Sequence, residues 1–495
     1  MSETAPPVDL LVVGGGVNGC GIARDAAGRG LTVVLVEAGD LAGATSSASS
    51  KLIHGGLRYL EQYAFRLVRE SLAEREVLLA SAPHLIYPLR FVLPHHRGLR
   101  PAWLLRLGLL LYDHIGGRRS LPGTRSLDLP RAPQGGPLKP DLKRAFEYSD
   151  AWTDDARMVV LAALDAAEHG ARVLTRTRLV SARREAALWR AELQGDDGRC
   201  EAVAAHAIVN AAGPWVDEVA RTLGADRPSR TLKLVKGSHI VLPRLYEGDW
   251  AYTLQQRDGR VVFAIPYERA FTLVGTTDTP VEAPGAVNAS PEEVAYLCEA
   301  VNDYFSRTIT PADVVWSYAG VRPLHDDGGA SASQATRDYA LDLDAPEGLA
   351  PLLTVYGGKI TTFRRLGEHA LRLLAPRLGL TAPDWTAGAH LPGGDLPQGF
   401  AAFRDQVAAA RPWLDEPHLT RLCRAYGSRL QEVLGDARSW ADLGRDFGAG
   451  LTGSEIAYLR RVEWARTADD VLWRRTKVGL HMTPEQRAAV AFAFT

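Results

Sequence analysis

Residues 10–13 read Leu-Leu-Val-Val, and the turn Gly14, Gly15, Gly16, Val17, Asn18, Gly19 follows without a gap. No other feature constrains this chain so tightly. The apolar run has the character of a buried parallel strand. Cys20 to Arg29 is helical in pattern and stops at Gly30; residues 31–36 then make a second strand, closed by Glu37. This is a βαβ unit with G-x-G-x-x-G at its first turn and an acid at the end of its second strand. Gly14 permits the tight turn, Gly16 lets the backbone approach a pyrophosphate, and Gly19 lets the helix lie on the sheet. The helix N-terminus offers free N–H groups and the positive end of its dipole. Glu37 is placed to accept hydrogen bonds from a ribose. The unit is expected to hold a dinucleotide.

Two further segments favour FAD over NAD. Thr45, Ser46, Ser47, Ser49, Ser50 and Lys51 follow the unit, a polar stretch suited to an extended cofactor. Residues 207–213 read as a late strand that ends in Gly213 and returns to the nucleotide.

With 495 residues, the chain has material for two to four domains. Its 57 basic and 58 acidic residues balance, so no electrostatic footprint for nucleic acid is expected. Four scattered cysteines without a C-x-x-C pair predict a reduced compartment and no structural zinc. The N-terminus has no basic region before an apolar run, and the longest apolar stretch, Trp103 to Tyr112, is interrupted by Arg106 and too short to span a bilayer. A cytoplasmic location is expected, with peripheral membrane contact open.

The chain resembles the FAD-dependent glycerol-3-phosphate dehydrogenases of aerobic respiration, the bacterial membrane-associated type in particular. The resemblance rests on A-T-S-S-A-S-S-K-L-I-H-G-G-L-R-Y-L-E (44–61), A-E-R-E-V-L-L (73–79), L-K-R-A-F-E-Y-S-D (142–150), K-G-S-H-I-V (236–241), V-G-T-T-D (274–278), G-V-R-P-L (320–324), T-R-D-Y (336–339), G-G-K-I-T-T-F-R-R-L (357–366) and W-R-R-T-K (473–477). It implies oxidation of sn-glycerol 3-phosphate to dihydroxyacetone phosphate, with hydride passing from C2 to flavin N5 and electrons to a membrane quinone. A related branch gives them to oxygen and makes peroxide. A flavin-binding regulatory protein without turnover and an amino-acid oxidase of the same superfamily are the other readings.

The fold class implied is α/β: a Rossmann-like FAD domain of the glutathione-reductase type, an antiparallel-sheet substrate domain and a C-terminal α-helical domain. The FAD domain is expected from 1–85, 151–225 and 323–385, the substrate domain from 86–150 and 226–322, and the helical domain from 398–495. Residues 171–193 alternate like a hairpin around Ala186, with Val180 where its backbone meets adenine. A Pro/Gly cluster at 392–397 reads as a linker.

A phosphate dianion needs fixed cations, and the planar fork of arginine suits its oxygens. Arg58, Arg322 and Arg337 lie in matching motifs and are the candidates, although an isolated arginine is usually a solvated surface residue and Asp338 offers Arg337 an ion pair. Tyr59 is a candidate to bond substrate through its hydroxyl. Removing the proton of an alcohol needs a base, for which His54 and His239 compete. Gly357, Gly358, Lys359 and Thr361 open a predicted helix whose N-terminus faces the flavin pyrimidine edge, with Lys359 also near substrate. Thr276, Thr277 and Asp278 form a polar cluster after a strand. Two segments are candidates for the bilayer: the helix after Thr361, with Phe363, Leu366, Ala370, Leu373, Leu374 and Leu378 along one side, and Trp103 to Tyr112, flanked by Arg100, Arg118 and Arg119. Glycerol 3-phosphate and quinone are thus the expected partners, at the inner face of the cytoplasmic membrane. The oligomeric state stays open, a homodimer included.

Overall fold

A computed structural model describes residues 6–57, 60, 63–96, 98–117, 120–224, 230–325 and 338–494. Its first sheet has the spatial order Tyr339–Asp344, Leu352–Gly357, Cys200–Asn210, Val8–Val13, Val33–Val36, Arg172–Leu174. All neighbours from Leu352–Gly357 onward are parallel. Period-two alternation decides its two faces. Leu10 and Val12 point into a core shared with the helices Val17–Gly28, Asp155–Glu168 and Phe363–Leu378. Leu11 and Val13 point the other way, against the hairpin strands Thr177–Glu185 and Leu188–Gly195. That hairpin turns at Ala186, which takes a positive φ.

The second sheet has ten strands and is largely antiparallel. Leu232–Pro243 is its longest strand and pairs along ten positions with Trp316–His325. That strand runs across the domain boundary expected at 322/323. Leu52–Ile53 crosses over from the N-terminal segment to pair with Arg144–Thr153, so residues 1–85 do not stay wholly with the first sheet. One face carries the helix Pro291–Asn302, the other the helices Phe65–Ser81 and Ala102–Ile115.

The last hundred residues are mainly helical and enclose their own core, around Leu422, Tyr426, Leu451 and Leu459. The 392–397 connection is packed, since Gly393 lies against the backbone of Tyr426.

The helix Phe363–Leu378 corrects one expectation. Phe363, Leu366, Ala370 and Leu374 are fully buried in the first core. Its polar side is partly buried too: Arg364 is bidentate to Glu74 and bonds Thr386. The apolar stripe therefore packs on protein and has no face for lipid. Amphipathic pattern alone does not distinguish these two uses.

Candidate active site

A cavity of about 1110 Å³ runs along the C-terminal ends of the parallel strands, lined by Val13, Val36 and Ala211. This is where open α/β sheets bind ligands. Its floor is the glycine turn. Gly14 has φ 116°, and a Cβ there would stand 2.5 Å from the carbonyl oxygen of Ala211. A Cβ on Gly19 would stand 1.9 Å from the carbonyl oxygen of Gly14, so the helix meets the turn only as glycine. Gly16 lines the cavity. Glu37 accepts the N–H of Gly15 at 2.7 Å and that of Gly39 at 2.7 Å, which freezes the turn against the second strand. Burial raises the Glu37 carboxyl above its ordinary value, and the two N–H donors oppose that.

Ser46 accepts the N–H of Val17 at 3.0 Å, and Thr45 donates to the carbonyl of Val321 at 2.6 Å. Both residues line the cavity, as does Ser50. Val180 is at a register irregularity between Leu179 and Ser181 and lines one end of the space; Gly213 lines its side. Gly357, Gly358, Lys359 and Thr361 line another wall just before the helix at Phe363. Asn18 ties that wall to the glycine turn by donating to the carbonyl of Gly357 at 3.0 Å.

His54, His239 and Arg322 also line this cavity. His54 follows the short strand Leu52–Ile53, and its backbone N–H donates to Thr361 Oγ1 at 3.3 Å. His239 lies in the long strand, stacked on Tyr318 with ring centroids 4.8 Å apart. Its Nε2 is 2.9 Å from Ser50 Oγ. Burial, then the charges of Lys51 and Arg322, hold its pKa well below the usual histidine value. Arg322 bonds Asp278 at 2.8 Å and the carbonyl of Thr277. Its guanidinium lies over Gly237, where a Cβ would come within 2.2 Å of Nη2. The polar cluster 276–278 thus holds this arginine.

One candidate is placed elsewhere. Lys51 is buried, and its Nζ is 2.6 Å from Asp155 and 3.2 Å from the carbonyl of Ser47. Its side chain serves a buried ion pair beneath the polar loop and does not line the cavity. A buried ammonium must be paired, and Asp155 meets that need first. Arg58, Tyr59 and Arg337, with Arg118 and Arg119, lie outside the described residues. Asp338, a candidate partner for Arg337, pairs with Arg66.

A second cavity, of about 390 Å³, opens beside the first; Ser50, His54 and Thr276 line both. Its other walls are mainly apolar, from Leu104, Leu105 and Leu109 of one helix and Val261 and Phe263 of the sheet, with Arg100, Thr253, Gln255 and Asp278 among them. No local pattern marks this space, because its walls come from segments distant in the chain. The same holds for Gly237 and for Arg176, Thr467, Asp469, Asp470 and Arg474, which line the larger cavity.

The residues fit an extended flavin dinucleotide. A glycine floor that a side chain would fill, a helix N-terminus and a carboxylate at the second strand lie at one end. A second helix start, tied to that turn by Asn18, two histidines and an arginine complete the lining.

The comparisons agree in kind. A family model described as FAD dependent oxidoreductase matches residues 9–364, and one described as the C-terminal domain of alpha-glycerophosphate oxidase matches 385–494. A glycerol-3-phosphate dehydrogenase of Pseudomonas aeruginosa is 53% identical, over 97% of this chain and 93% of its own. A D-erythritol 1-phosphate dehydrogenase of Brucella abortus is 52% identical, over 97% and 96%. Among solved structures, the glycerol-3-phosphate dehydrogenase of Bacillus halodurans complexed with FAD aligns with TM-score 0.76 at 26% identity, covering 99% of this chain and 94% of that one.

Proposed function

Because the chain belongs to the FAD-dependent glycerol-3-phosphate dehydrogenase family, we propose that it oxidises sn-glycerol 3-phosphate at C2 to dihydroxyacetone phosphate. The observation that carries this reading is that His54, His239 and Arg322 line the same cavity that the glycine turn floors. FAD, when bound, supplies the acceptor for the hydride that leaves C2. Arg322 anchors the phosphate, held in orientation by Asp278 and seated on Gly237. His54 takes the hydroxyl proton. His239 is the poorer base, because a base works best with a pKa near the working pH and this ring is held far below it. Neutral and fixed to Ser50, it orients the substrate hydroxyl. Lys359 and the helix start beyond it favour negative charge at their end of the cavity.

Glycerol 3-phosphate added without air should bleach the visible flavin bands. A quinone analogue should then restore them faster than oxygen does. Colour that persists with substrate present refutes the reading, and stoichiometric peroxide on aeration converts it to an oxidase. Arg322→Ala should raise KM about a hundredfold, the cost of leaving a charged partner unpaired, with FAD content unchanged. Loss of FAD in that variant would remove Arg322 from the phosphate site.

A second reading is a four-carbon substrate. The D-erythritol 1-phosphate enzyme is nearly as similar as the glycerol 3-phosphate one, and the 390 Å³ space beyond His54 leaves room for another carbon. The ratio of kcat/KM for the two phosphates decides between them.

The acceptor we assign is membrane quinone. The helix Ala102–Ile115 lines the smaller cavity, where Leu107 and Leu111 stand exposed at its rim, and exposes Trp103 and Leu110 to solvent outside it. Such a helix lies in a headgroup region. No described helix is long and apolar enough to cross a membrane. The contact we propose is peripheral, at the inner face of the cytoplasmic membrane. Trp103→Ser with Leu110→Ser should cut co-sedimentation with liposomes about tenfold or more, at about 1.5–3 kcal/mol per large apolar side chain. Sedimentation equal to that of the parent would exclude this helix as the anchor.

A further inference from the structure

The outer wall of the large cavity comes from the far end of the chain. Thr467, Asp469, Asp470 and Arg474 line it beside Glu37, Asp40, Arg176 and Val180. We propose that the C-terminal helical domain is a cofactor clamp, whose segment from Thr467 to Arg474 closes the adenosine end of the FAD site with Arg474 as the contacting side chain.

Three observations carry this. First, the segment is docked on the strand-end loop that follows Glu37. Arg475, fully buried, is bidentate to Asp40 at 2.6 and 2.7 Å, although the residues are 435 apart in sequence. Glu463 is bidentate to the buried Arg157 at 2.8 and 2.9 Å, and Lys477 reaches Asp154 at 3.2 Å. Second, the segment is shaped locally. Asp470 accepts the N–H groups of Arg466 and Thr467 at 2.8 and 3.0 Å and starts a π-helical turn, Asp470–Arg475. Such turns are frequent at functional sites. Third, Arg474 is held by two carboxylates, Nε by Asp40 and Nη2 by Asp470. A guanidinium fixed along two edges still has Nη1 and its flat faces for a ligand, and those faces stack on aromatic rings such as adenine.

Domain docking and cofactor binding are then linked, and each stabilises the other to the same extent. The inference rests on FAD occupying this cavity. Arg474→Ala is the informative variant, because Asp40 keeps Arg475 and Asp470 keeps Arg176 at 2.9 Å, so no buried carboxylate is stranded. FAD release, followed by flavin fluorescence after dilution, should be about tenfold faster than in the parent, the scale of one lost bond from a charged group. FAD should slow amide exchange across 467–475 in the parent. Release at the parental rate, or exchange in 467–475 indifferent to FAD, overturns the clamp. A parent protein that purifies without flavin overturns the cofactor premise instead.

Discussion

Gly14→Val should yield a colourless protein. The turn at Gly14 takes φ 116°, which a β-branched residue adopts only under strain of about 1–3 kcal/mol. Strain is the smaller part. The new Cβ would press on the backbone of Ala211, at 2.5 Å from its oxygen and 2.8 Å from its carbon, and backbone cannot swing aside as a side chain does. Ala211 belongs to the strand-end wall of the cavity, so relief of the clash moves either the turn or that wall. Each movement disperses the N–H groups meant for phosphate. The strain alone corresponds to about fivefold to 150-fold in FAD affinity, and the clash with backbone carries the expected loss to about a hundredfold or more. The ratio of visible to ultraviolet absorbance after purification reads the outcome. Full FAD content in this variant would show that the glycine turn does not carry the pyrophosphate.

His54→Ala should leave the protein yellow and nearly inactive. Loss of a general base costs roughly 10²–10⁴ in turnover. The fold has little reason to respond, because the tie between His54 and Thr361 uses the backbone: the N–H donates to Thr361 Oγ1 at 3.3 Å, and the hydroxyl reaches the carbonyl at 3.4 Å. Alanine keeps both. His239→Asn should leave the pH profile of turnover unchanged, since a ring held neutral by burial and neighbouring cations does not titrate in the working range. If His239→Asn abolishes turnover and His54→Ala preserves it, the two assignments exchange places.

Much of the site was legible from residues close together in the chain. The glycine turn, the acid at position 37, the polar loop from Thr45 and the helix start after Gly357 are local patterns, and each has a local physical reason. Gly14, Gly16, Glu37, Thr45, Ser46, Ser49, Ser50, Gly357, Gly358, Lys359 and Thr361 all line the cavity, while Gly19 serves packing. Lys51 was misread for an equally physical reason. Position in a polar loop beside a cofactor does not tell which way a side chain turns, and Asp155, 104 residues on, claims it. The Phe363–Leu378 helix shows the same limit, since its 3.6-residue periodicity is satisfied equally by lipid and by the core it enters.

The amino-acid sequence by itself determined the nucleotide-binding unit and favoured its cofactor class, because period-two and period-3.6 patterns and glycine turns act over a few residues, and the family resemblance of its longer motifs implied the rest of the fold. Tertiary structure alone decided which of the histidines is held neutral, which arginine sits on Gly237, where the apolar cavity opens and how the C-terminal segment reaches Asp40. These depend on burial and on the meeting of side chains hundreds of positions apart, and charge, desolvation and contact are properties of that meeting, which no local pattern contains.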